Sequence, residues 1–202
     1  MQIEGFDKFN KTYCKNRNWY ITCEDNKKAR IIESKDEKYT IQFNYKPASE
    51  RSICFRIENY KKEFLGNERK GAPDNDVTVL DDDIYQIEIK DTKRIDHQKV
   101  LSQFQNGWQW VHHLLWVADH ENMCNLKRKY DILIHLKIID TRNRNRGMSR
   151  KPILNLIKNE DCRYTVIKWV VPKGTKLNCR LNEIIRLALY DKKYIKVVNT
   201  QF

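Results

Sequence analysis

The 202 residues carry 39 Lys and Arg against 27 Asp and Glu, a formal net charge of +12, with 40% hydrophobic and 33% charged positions. With only 6 Gly and 4 Pro, and no apolar run near the ~18–20 residues of a membrane-spanning helix, the composition excludes collagenous, low-complexity and helical membrane classes. The basic excess favours a polyanionic partner, nucleic acid well ahead of an acidic membrane surface.

Residues 1–18 are polar with scattered aromatics (Phe6, Phe9, Tyr13) and read as a short helix. Segments 19–24, 29–34, 38–46 and 51–59 alternate apolar and polar residues with β-branched or aromatic members, the pattern of strands in a half-exposed sheet. Segment 66–76 is a loop. "DVTVL" and "IYQIEIK" are then two short strands joined by Asp81–Asp83, a hairpin. Val100, Leu101, Phe104, Trp108, Val111, Leu115 and Ala118 recur at three- and four-residue steps and mark the longest helix, with Asp96 as its N-cap.

Segment 130–140 is a strongly apolar, central strand. "TRNRNRGMSRK" at 141–151 is a basic loop, "PILNLIKN" a short helix with Pro152 in its first turn, 164–171 a strand, 172–177 a turn and 182–192 a final amphipathic helix. The order implies an α/β or α+β fold around one sheet, a single domain over 1–202 with a β-rich part at 1–65 and a core at 66–202. Cys14, Cys23, Cys54, Cys124, Cys162 and Cys179 form no CxxC pair, the histidines lack zinc spacing, and "MQIEGFDKFNK" has no secretory pattern. A cytoplasmic protein with reduced thiols is expected.

In "IYQIEIK", Tyr85, Ile87 and Ile89 fall on one face, and Ile84, Gln86, Glu88 and Lys90 on the other, which turns polar toward its end. Glu88 and Lys90 therefore stand about 7 Å apart on one side of a strand. Alone, an acid two residues before a lysine is a solvated ion pair, and this chain has several, such as Glu33-Ser-Lys35 and Asp91-Thr-Lys93. The hairpin adds context, because it brings Asp76 beside Glu88. Two converging carboxylates, with the backbone carbonyl of Ile89 as a third donor, suit Mg²⁺ or Mn²⁺, hard ions that take oxygen ligands and keep waters. Lys90 can then orient a water or meet charge developing on a phosphate.

Asp76 (or Asp74 in "PD"), a hairpin, "QIEIK" with Glu88 and Lys90, and Gln103 in "VLSQFQ" on the next helix resemble the PD-(D/E)xK nuclease superfamily over about residues 70–118. The resemblance implies a restriction-endonuclease-like core, a central mixed β-sheet flanked by helices, with the N-terminal β-rich part as an extension. It implies metal held by Asp76 and Glu88, water attack on a phosphodiester assisted by Lys90, and support of the site by Gln103. Asp76 is preferred to Asp74 because it abuts the strand. A further Glu on an early helix is common in the family, and Glu4, Glu50, Glu58 and Glu63 are candidates.

The implied activity is that of a Mg²⁺-dependent endonuclease, on DNA rather than RNA, in restriction, phage defence or a mobile element. The alternative is a catalytically inactive nucleic-acid-binding or assembly subunit with the same fold. Cutting both strands of a duplex calls for two such sites, hence a homodimer or a place in a larger complex. Arg142, Arg144, Arg146, Arg150 and Lys151 are the expected phosphate contacts. Trp110 falls off the helix stripe and is read as contacting another layer rather than stacking on a base.

Overall fold

The computed structural model describes residues 3–13, 19–24, 29–36, 38–47, 51–66, 73–119, 128–140, 153–157 and 164–189. In chain order these hold α1 (Ile3–Tyr13), β1 (Tyr20–Glu24), β2 (Ala29–Lys35), β3 (Tyr39–Tyr45), β4 (Arg51–Phe55), α2 (Ile57–Leu65), β5 (Val77–Leu80) and β6 (Ile84–Lys90). Then come α3 (His97–Asp119), β7 (Lys129–Ile139), β8 (Ile153–Ile157), β9 (Thr165–Pro172), β10 (Thr175–Arg180) and α4 (Leu181–Leu189). The class is the expected α+β, with mixed strand pairing. Two compact units divide the chain, neither of them continuous. One gathers Met1–Ala29, Lys46–Glu88 and Asp96–Asp131; the other gathers Arg30–Tyr45, Ile89–Ile95 and Ile132–Phe202.

In the first unit the strands pair antiparallel in the order β1-β4-β5-β6, with Tyr20 opposite Phe55, Ile53 opposite Leu80 and Val77 opposite Ile87. The opening of β7 lies beside β6: Ile84 N–H donates to the Arg128 carbonyl at 2.9 Å, and the Tyr85 and Tyr130 rings stack at 5.6 Å. Helices α1 and α3 close one core. Phe6, Phe9, Trp19, Ile53, Phe55, Ile57, Leu80, Ile84, Val111 and Leu114 are all buried together there. Each such side chain contributes about 1.5–3 kcal/mol on burial. The Tyr13 hydroxyl donates to the Leu114 carbonyl at 2.7 Å, and Lys8 meets Asp119 at 3.0 Å, so α1 is fixed along α3 at polar as well as apolar points.

In the second unit β7 and β9 run parallel, Ile132 opposite Thr165, and β8 pairs antiparallel with β9. A second sheet has the order β10-β3-β2, with β10 parallel to β3. Helix α4 buries Leu181, Ile184, Ile185 and Ala188, one stripe at helical spacing.

Three local expectations need correction. The strand expected at 51–59 ends at Phe55, and α2 begins at Ile57. The spacing of Ile57, Tyr60 and Phe64 suits a helix, and a Glu58–Lys62 pair at 2.7 Å supports it across one turn. The helix expected after Pro152 is instead strand β8, in ladder register with β9 from Ile153–Val170 to Ile157–Val166. Tertiary pairing there overrides local helix preference. The turn expected over 172–177 shrinks to Lys173 and Gly174, and β10 follows at once. Gly174 adopts φ 74°, a left-handed conformation that glycine takes without strain, and its N–H donates to the Lys38 carbonyl at 2.8 Å.

Candidate functional site

The hairpin forms as its sequence predicts. At the turn, Asp81 N–H donates to the Asp83 carbonyl at 3.1 Å, and the Asp81 carboxylate accepts from Asp82 N–H at 2.8 Å. The register sets Val77 against Ile87 and Thr78 against Gln86, so one further step sets Asp76 opposite Glu88. Residues directly opposite in an antiparallel pair share a face. Asp76 is half-buried and Glu88 is 0% exposed.

Burial of that face goes beyond what alternation in the sequence specifies. The side of β6 that turns polar toward its end lies under α3, and every residue of β6 but Lys90 is buried. Gly107 permits the approach. A Cβ at this position would collide with Asn75 Oδ1 and stand 2.7 Å from the Gln86 amide. Asn75, 1% exposed, donates from Nδ2 to the Val77 carbonyl at 2.7 Å and to Thr78 Oγ1 at 2.9 Å. The Gln86 amide, turned to satisfy both ends, donates to Asp131 Oδ1 and the Phe104 carbonyl, each at 3.0 Å, and accepts from Trp108 N–H at 2.9 Å. Burial pushes the Asp131 carboxyl up, and Lys129 at 3.1 Å opposes the shift.

Gln103 joins the elements of the site. Its Nε2 donates to Glu88 Oε1 at 2.8 Å and to the Asp74 carbonyl at 3.2 Å. One turn on, Asn106 Nδ2 donates to the Pro73 carbonyl at 2.8 Å, so two amides of α3 hold the "PD" backbone. The Asp74 side chain turns to α2, where its Oδ2 meets Lys61 Nζ at 2.6 Å, with side-chain exposures of 9% and 6%. Burial raises the Asp74 carboxyl, Lys61 opposes the shift, and the Glu58 charge adds to it. The structure therefore brings Asp74, Glu88 and Gln103 together by contact, while Asp76 stands one residue before β5, whose first pair is Val77 with Ile87.

Ile89 and Lys90 complete β6 beyond Glu88, Ile89 buried and Lys90 half-buried. Arg142, Arg144, Arg146, Arg150 and Lys151 lie outside the described residues. Of the early glutamates, Glu58 is on the first turn of α2 and pairs with Lys62, Glu63 is exposed, and Glu50 lies outside the described residues. Trp110 contacts α2 as expected, its ring 5.8 Å from Tyr60 and 5.1 Å from Lys61 Nζ. Trp108 is partly buried, with Lys129 Nζ 5.0 Å from its ring.

Sequence reading missed Lys61, Asn75, Gln86, Asn106 and Asp131. Lys61 had a signal: it stands four residues after Ile57 on the buried side of a helix. Asn75 had another, a polar residue between two acids at the mouth of a hairpin. Among the described residues no group of three or more His, Cys, Asp or Glu converges on one point. A metal at this site would rest on two carboxylates, a backbone carbonyl and water, a donor set of oxygens that fits Mg²⁺ or Mn²⁺. None of the described helices is long and apolar enough to cross a membrane. No family model, curated protein or solved structure matches the chain.

Proposed function

We propose that the chain is a metal-dependent nuclease of the PD-(D/E)xK kind, hydrolysing phosphodiester bonds of nucleic acid, DNA rather than RNA. The observation that carries the reading is Glu88: a wholly buried carboxylate, held by a helix glutamine, on the strand that ends in Lys90. A buried carboxylate is retained where it is paired, hydrogen-bonded or used on a cation. Asp76 opposite it supplies the second acid.

Asp76, Glu88 and the Ile89 carbonyl would hold Mg²⁺ or Mn²⁺. When bound, the ion polarises a phosphoryl oxygen and makes a bound water more acidic. The protein's own part is positional. Gln103 fixes the Glu88 carboxylate, the cover of α3 keeps that carboxylate from water, and Lys90 orients the attacking water and meets the charge growing on the phosphate. The +12 charge supplies sequence-independent attraction to the polyanion, with the arginines of 141–151 as the densest cluster. A cytoplasmic setting in restriction, phage defence or a mobile element, within a dimer or larger complex, goes with this reading.

Plasmid, single-stranded DNA and total RNA incubated with the protein, with and without Mg²⁺, test it. Metal-dependent cleavage, faster on DNA, is expected, and Glu88→Ala and Lys90→Ala should each abolish it while the far-ultraviolet circular dichroism is kept. Cleavage by both variants at the wild-type rate would remove the proposal.

A further inference from the structure

Lys61 has no part in the chemistry above, yet it is 5% exposed on a helix whose neighbouring positions Lys62 and Glu63 face water. Its Nζ meets Asp74 Oδ2 at 2.6 Å and stands 5.1 Å from the centre of the Trp110 ring. Taking two such charges out of water costs several kcal/mol per ion, and apolar residues of similar volume are often as stable. Stability therefore does not account for the pair. Its place in the contacts does. Lys61 fixes the Asp74 side chain, the Asp74 carbonyl accepts from Gln103 Nε2 at 3.2 Å, and the same nitrogen donates to Glu88 Oε1 at 2.8 Å.

We infer that Lys61 is a positioning residue that sets the Glu88 carboxylate through Asp74 and Gln103. The inference rests on the nuclease reading and deepens it. Of the two acids before β5, Asp74 is engaged with an ammonium on α2 and serves the support of the site. The tie from α2 and the tie from α3 meet on one residue, Asp74. Residues that orient a metal ligand without touching the metal characteristically change affinity about 10- to 100-fold when removed.

Mn²⁺ binding to the full chain, measured by electron paramagnetic resonance of the unbound ion, tests this apart from activity. Wild type should bind Mn²⁺, and Glu88→Gln should weaken it strongly. Lys61→Met should weaken it about tenfold at temperatures where the variant is folded. Adding Gln103→Ala to Lys61→Met should weaken it little further, because the two act along one path. If the lone buried Asp74 prevents folding, Lys61→Met with Asp74→Leu removes both charges, and the same tenfold loss is expected.

A folded Lys61 variant, or the paired variant, that binds Mn²⁺ as wild type does would overturn the positioning role and leave the nuclease reading standing. Equal Mn²⁺ binding by wild type and Glu88→Gln would instead overturn that reading, and this inference with it.

Discussion

Replacing Gln103 by Leu removes one nitrogen that serves two acceptors, at 2.8 Å to Glu88 and 3.2 Å to the Asp74 carbonyl. The two side chains are close in volume, so little of the effect comes from a cavity. Taking the donor from a buried acceptor costs about 1–3 kcal/mol and losing a bond to a carbonyl about 0.5–1.5 kcal/mol, so the substitution should cost about 2–4 kcal/mol. The upper part of that range applies because Glu88 is 0% exposed and water cannot take the place of the amide. The same substitution in a Glu88→Leu background loses only the carbonyl bond and should cost about 1 kcal/mol, a coupling of about 2 kcal/mol. Urea unfolding at pH 7, followed by tryptophan fluorescence, measures all four proteins. A Gln103→Leu variant within 0.5 kcal/mol of wild type, or a cycle without coupling, would refute the account of Gln103 as the residue that makes a buried Glu88 tolerable.

Gly107→Ala gains about 1 kcal/mol in helix propensity but places a Cβ onto Asn75 and the Gln86 amide; overpacking of about 1–3 kcal/mol should win, and Asn75→Gly should relieve it. A Gly107→Ala protein more stable than wild type would mean that α3 does not approach this closely. Asp96 Oδ1 accepts from Lys99 N–H at 3.1 Å, so Asp96→Ala should cost about 1 kcal/mol and Asp96→Asn much less, read from the same unfolding curves. Burial first, then the charges of Asp83 and Asp81, push the Tyr85 phenol up to about 12 from its ordinary 10. The fold thus favours the neutral phenol. Its contribution is complete below pH 10 and lost as pH rises toward 12, and Tyr85→Phe should flatten the stability-versus-pH slope in that window. An unchanged slope would exclude Tyr85 as its source.

What the sequence made legible was local and periodic. The heptad-like recurrence from Val100 to Ala118 and the Asp96 cap located α3, and the alternation about Asp81–Asp83 located the hairpin whose register sets Val77 against Ile87. What it hid was decided by partners distant in the chain. "ILNLI" pairs with β9, and "TKLNCR" extends beside β3. Neither partner is readable from the segment itself, since strand preference is largely a matter of which surface receives it. The Lys61–Asp74 pair was hidden for the same reason. The placing of Lys61 after Ile57 marks a buried helix side but does not say that an acid 13 residues on folds back against it.

The polar face of β6 is where this limit touches function. Alternation correctly divides Tyr85, Ile87 and Ile89 from Gln86 and Glu88, but alternation does not say what covers a face. Read as exposed, Glu88 and Lys90 are a surface ion pair worth at most about 1 kcal/mol and carry little meaning. Read as covered, the same glutamate needs a reason to be there. A surface pair would require no Gln103 aimed at its oxygen and no helix above it. What the structure gives is a carboxylate kept from water and met by a helix amide, and both follow from the cover that alternation alone leaves unstated.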